Sequence, residues 1–98
     1  MNAKRLHDFN TLRALRGGFS AGCRNNAAKI YAWLLRSSAV PRSDVFRLLT
    51  DMGEQCRPPL SKAEVKNAWK YNQIRRMKDQ TIADWLNVTQ AEAEIIAS

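Results

Sequence analysis

Residues 58–71 read PPLSKAEVKNAWKY, and this stretch specifies where a helix starts, which side it buries and which side it exposes. Ser61 and Glu64 have capping-box spacing: the hydroxyl accepts from a free first-turn amide and the carboxylate reaches back to the cap amide. Leu60, just before the cap, is placed to staple against Val65. The pattern predicts a helix from 61 to about 71 with Val65, Ala68 and Trp69 inward. Lys62, Lys66 and Lys70 then lie four apart on the outer face, where their mutual repulsion costs stability unless a partner supplies negative charge.

Towards the N-terminus the periodicity stays helical. Leu6, Phe9, Leu12 and Leu15 recur at threes, and Gly17 and Gly18 end that first helix. A polar turn over 20–26 precedes Ala27, Ile30, Tyr31, Leu34 and Leu35, an i, i+3, i+4, i+7, i+8 stripe that predicts the main core helix, stopping near Ser37. Pro41 suits a first-turn position, Asp44 complements the helix dipole there, and Val45, Leu48, Leu49 and Met52 form the next stripe, closed by Gly53. Towards the C-terminus, 79–87 reads as a fifth helix with Ile82, Ala83 and Leu86 inward. Asn87 takes a left-handed position, and Thr89 with Glu92 repeats the capping spacing for a sixth helix packed through Ala93 and Ile96. Two short helices joined by a tight turn suggest a helix-turn-helix. The expected fold is a single all-α domain over 1–98, a small bundle of five or six short helices with a helix-turn-helix-like C-terminal hairpin.

Charge follows the same map. Between 57 and 78 lie seven basic residues, Arg57, Lys62, Lys66, Lys70, Arg75, Arg76 and Lys78, against one acid, Glu64. From 79 to 98 there are four acids and no Lys or Arg, so the tail carries −4 and the first 78 residues +11, which together make the chain's +7. A positive field of that density attracts phosphate backbones and weakens as salt rises. A membrane surface would answer the same charge, but no apolar run nears the roughly twenty residues of a spanning helix and the aromatics fall at core spacing, so no membrane partner is expected.

Other chemistries find little footing. The chain has 98 residues, 45% of them apolar, enough for one core. Cys23, Cys56 and His7 are too few for a four-ligand zinc site, and no metal or other cofactor is expected. Both thiols sit in apolar surroundings and read as reduced, buried or half-buried cysteines of a cytoplasmic protein. Residues 1–16 lack the apolar core of a signal peptide. His7 and Asp8 are sequence neighbours and so do not face each other on a helix. No paired carboxylates, phosphate loop or activated nucleophile can be assembled, so no enzymatic activity is expected.

Gly22, Cys23, Arg24, Asn25 and Asn26 open one helix, and Pro58, Pro59, Leu60, Ser61, Glu64 and Val65 open another about thirty residues later. This G-x-R-N-N start and P-P-L-S-x-x-E-V cap resemble the primase C-terminal domain of plasmid and phage replication primases and initiators. The resemblance covers roughly 17–71, and 77–98 resembles the helix-turn-helix-like extension that often follows it. It implies a DNA-binding module accessory to a polymerising or nicking domain. The family's usual Gly and Leu before the third helix are here Ala39 and Val40, and Pro41 stands where a capping Ser is common.

The expected partner is DNA, duplex or single-stranded, with a replication protein or polymerase domain as a second. Lys62, Lys66, Lys70, Arg75 and Arg76 are the expected phosphate contacts, Arg24 an anchor beside the open amides of its helix, and Asn25, Asn26, Lys66 or the last helix the source of any base reading. Alternatively, Asn25 caps the helix and Arg24 forms a salt bridge. Trp33 lies off the main stripe and is the tryptophan expected to be most exposed. Gln90, Glu92 and Glu94 are expected on the surface of the last helix, where carboxylates repel phosphate. Two other readings remain open: a protein interaction module docking through the acidic hairpin, and a small dimeric repressor using the helix-turn-helix.

Overall fold

The second helix is apolar almost all the way round, and the molecule is built about it. In the computed structural model, which describes residues 2–71 and 78–97, the elements in order are α1 (Asn2–Arg16), α2 (Arg24–Ser37), α3 (Arg42–Gln55), α4 (Lys62–Lys70), α5 (Asp79–Trp85) and α6 (Gln90–Ala97). α2 packs against α1, α3, α4 and α5. It buries Ala28, Ala32 and Trp33 as well as Ala27, Ile30, Tyr31, Leu34 and Leu35, as expected of a central helix rather than an amphipathic one. Trp33 is therefore only 9% exposed, contrary to the expectation from its off-stripe position, while Trp69 and Trp85 are half-buried. Among the described residues there is no strand, only an isolated bridge between Ser20 and Arg57.

Around α2 the core is completed by Phe9 and Leu12 of α1, Phe19 of the following turn, Val45, Leu49 and Met52 of α3, Leu60, Val65 and Ala68 of the α4 region, and Leu86 after α5. Both cysteines are free and buried. Burial pushes the Cys56 thiol above its ordinary value, which keeps it protonated and inert.

Three helices end in the same way. The amide of Gly18 donates to Arg13 O at 3.0 Å and that of Gly17 to Ala14 O at 3.3 Å, a Schellman closure with Gly17 at φ +64°. Val40 and Ala39 close α2 likewise, with Ala39 at φ +61°, and Val88 and Asn87 close α5, with Asn87 at φ +54°. Asn87 thus occupies its expected left-handed position.

Three expected boundaries move, the first being the end of α5, which stops at Trp85 rather than at 87. α3 runs through Gly53 to Gln55, because Gly53 serves close packing rather than termination: a Cβ there would lie 3.2 Å from Val65 Cγ2 and 3.3 Å from Leu60 Cβ. Pro41 takes the cap position, one residue before the first turn.

Gly18 has the tightest surroundings of the four glycines. Its φ is +105°, and a Cβ would stand 2.5 Å from the carbonyl oxygen of Gln55 at the end of α3. Gly18→Ala is expected to cost about 2 kcal/mol, from left-handed strain plus a forced shift of α3's last turn. Chemical denaturation checks this, and a loss under half that value would mean the turn relaxes freely.

Candidate nucleic-acid interface

The capping box predicted for α4 is formed. Glu64 N donates to Ser61 Oγ at 3.1 Å and Ser61 N to Glu64 Oε1 at 2.9 Å. The fixed start sets the phase of the helix, turning Val65 and Ala68 into the core and leaving Lys62, Lys66 and Lys70 exposed. Among the described residues none of these three ammonium groups has a hydrogen-bond or ion-pair partner. The one acid of α4 is occupied elsewhere: the Ser61 amide first, then the Arg24 guanidinium, hold Glu64 below the usual carboxylate range.

Arg24 joins the two motifs. From the first turn of α2 its Nη1 lies 3.3 Å from Glu64 Oε1 and 3.5 Å from Pro59 O, and its side chain is 17% exposed. The salt-bridge alternative is thus the geometry observed. Arg24 lies at the Lys62 end of α4, but its charge is shared with an acid. Asn25 does not cap α2: Cys23 holds that position and its side chain makes no capping hydrogen bond, leaving Asn25 exposed and Asn26 half-buried in the first turn. Arg57, a member of the basic run, is a brace. It donates from Nη1 to Gly17 O at 2.6 Å and from Nη2 to Ser20 Oγ at 3.2 Å. Arg75 and Arg76 lie outside the described residues.

At the other end of α4 the structure adds residues that sequence reasoning missed. Arg36, in the last turn of α2, donates to Trp69 O, and to Tyr71 O at 2.7 Å, satisfying carbonyls that the helix end leaves open. Burial lowers its pKa from the ordinary value. The Arg42 guanidinium stands 4.5 Å from the Trp69 ring centre, and the Phe46 ring meets Trp69 edge-on at 6.0 Å. Arg36, Val40, Arg42, Trp69 and Lys70 line an open cleft of about 450 Å³. The only hint of it in the sequence is a pair of arginines flanking the 38–41 turn.

The C-terminal hairpin differs from expectation at Ala93, which is exposed while Ile96 is half-buried, and at Glu92. Glu92 is not a surface carboxylate: its side chain is 18% exposed and paired with Arg16, Nε to Oε2 at 2.7 Å and Nη2 to Oε1 at 2.8 Å. Asp79 pairs with Arg5 at 2.7 Å. The hairpin's remaining acids, Asp84 and Glu94, accept from Gln80 and Gln90 one turn back on their own helices. Among the described residues no group of three or more His, Cys, Asp or Glu is placed to hold a metal, and no helix is long and apolar enough to cross a membrane. Comparison of the chain with protein-family models, curated proteins and solved structures finds no match.

Proposed function

We propose that this chain is a DNA-binding module of a plasmid or phage replication initiator or primase, gripping the phosphate backbone with the outer face of α4 and carrying no catalytic centre of its own. The observation that supports this reading most directly is that three ammonium groups share one helical face, exposed and, among the described residues, unpaired, while Glu64, the acid that should neutralise them, is drawn off by Ser61 and Arg24. Like charges at this spacing destabilise a helix by a few tenths of a kcal/mol per pair, and an anionic strand reverses the sign of that term. Two further features fit. The G-x-R-N-N and P-P-L-S-x-x-E segments meet through Arg24 and Glu64. The left-handed Ala39 sits where the resembled family carries glycine.

A duplex or a single strand both satisfy this geometry, with a polymerase or other replication protein as the module's second partner in a cytoplasmic setting. The repressor reading is weaker because α6 contains no cation to meet phosphate. Docking through an acidic hairpin is weaker because Arg16 and Arg5 already neutralise Glu92 and Asp79.

Fluorescence anisotropy against labelled DNA over a salt series tests the proposal. Replacing Lys66 and Lys70 by alanine is expected to weaken binding alike for all sequences and to flatten the slope of log K against log salt by roughly 2. A slope equal to that of the parent protein removes α4 from the interface.

A further inference from the structure

The cleft at the C-terminal end of α4 has a composition that plain backbone binding does not require. Three cationic side chains, Arg36, Arg42 and Lys70, border a half-buried indole, Trp69. Phosphate contact needs the cations alone. An aromatic ring held among them suits a nucleobase, since every base offers a flat π-face and stacking is indifferent to sequence. We propose that this cleft is a subsite for one unpaired nucleotide of single-stranded DNA, with the base stacked on Trp69 and its phosphate held between Arg42 and Lys70. The inference rests on the DNA-binding reading above and narrows it to a strand type.

Several independent features of the cleft converge on this use. The ring is oriented before any ligand arrives: Phe46 meets it edge-on at 6.0 Å, and the backbone at its position is tied through Arg36 to the end of α2. The Arg42 guanidinium stands 4.5 Å from the ring centre, an arrangement that a base can replace while the guanidinium moves outward to phosphate. Arg42 is also the first residue of α3, whose cap, Pro41, supplies no side-chain acceptor. The exposed start of α3 therefore borders the cleft with its dipole favouring an anion, and the acid in that turn, Asp44, lies 3.5 Å from Arg47 one turn further along. Among the described residues the buried indole Nε1 has no hydrogen-bond partner, so the ring itself is held by its contacts with Phe46 and Arg42. A duplex has no free base face to offer. Lys62 and Lys66, further from the cleft, serve either strand form.

The test compares oligothymidine of about fifteen residues with a duplex of equal length in anisotropy titrations at two salt concentrations. Trp69→Leu is expected to weaken single-strand binding about tenfold, to leave duplex affinity unchanged, and to leave both salt slopes unchanged because no phosphate contact is lost. Trp69→Phe is expected to recover most of the loss. A second measurement leaves Trp69 itself unchanged: with Trp33→Phe and Trp85→Phe, Trp69 is the sole indole, and saturating oligothymidine is expected to quench it. Equal single-strand affinity in Trp69→Leu, or no quenching at saturation, overturns the subsite while the α4 interface stands. Quenching by polyglutamate and not by oligothymidine overturns it in favour of an acidic protein segment. A parent protein that binds neither strand at low salt removes the DNA reading as well.

Discussion

Replacing Lys62, Lys66 and Lys70 together by glutamate is expected to lower DNA affinity by roughly three orders of magnitude at about 0.1 M salt, with the helices in place. Each lysine–phosphate contact contributes a slope near 0.9, so three contacts are worth roughly 2.7 decades at that salt, and the new carboxylates add repulsion. The fold should tolerate the change. All three side chains are exposed and unpaired among the described residues, and α4 is held by Val65 and Ala68 together with the Ser61–Glu64 box. Glutamate at 62 even complements the helix dipole. Reversing Lys4, an exposed cation of α1 paired with Asp8 at 3.1 Å, changes net charge in the same sense and separates a local interface from a diffuse field. It should cost less than a third, on a logarithmic scale, of the triple reversal. Comparable losses per charge would mean that only the overall +7 matters and that α4 has no special role.

What was legible in the sequence was what residues a few positions apart decide. Ser61 and Glu64 announce α4 because both partners of each bond lie within one turn. Asn87 announces the break between α5 and α6 because its side chain tolerates the required backbone. Gly17 and Gly18 mark the end of α1 for the same local reason. The errors arise where the deciding neighbour is distant in sequence. A single stripe on α2 presumes one buried side, but α1, α3, α4 and α5 all pack on that helix, so Trp33 is enclosed from a direction that periodicity does not record. Gly53 reads as a stop in one dimension because a glycine forced by the approach of Leu60 and Val65 looks there the same as a terminator. For the candidate interface, the lysine stripe was visible because helical phase fixes it. The pairing of Arg24 with Glu64, 40 residues apart, and the Trp69 cleft, assembled from the ends of three helices, required tertiary placement.

Arg16→Ala is expected to release the α5–α6 hairpin from the rest of the fold, at a cost of about 3 kcal/mol to hairpin docking. One guanidinium closes the joint. Besides its two bonds to Glu92 it donates to Leu86 O at 2.7 Å and Asn87 O at 3.0 Å, carbonyls just past the end of α5. Glu92 in turn accepts from the Thr89 amide at 2.9 Å, fixing the start of α6. The hairpin's other holds are the exposed Arg5–Asp79 pair and the half-buried Ile82, Trp85, Val88 and Ile96. Leu86 is its one fully buried side chain among the described residues, and a largely apolar cleft of about 320 Å³ remains between it and α1. The same pair makes docking sensitive to acid. The Arg16 guanidinium, helped by the Thr89 amide, holds the Glu92 carboxyl at about 2, against 4.5 ordinarily. A carboxylate whose pKa is depressed by folding stabilises the fold above its ordinary value and loses that contribution as pH falls towards the folded value. Docking should therefore hold above about pH 4.5 and weaken by about 2 kcal/mol on descent to about pH 2, after allowance for partial solvent screening. Amide resonances of 79–97 are expected to collapse in that window while those of α2 and α3 persist, and Glu92→Gln should abolish most of the pH dependence by starting from the weakened state. Hairpin resonances that ignore both acid and the Arg16 substitution would mean that apolar contact alone secures it.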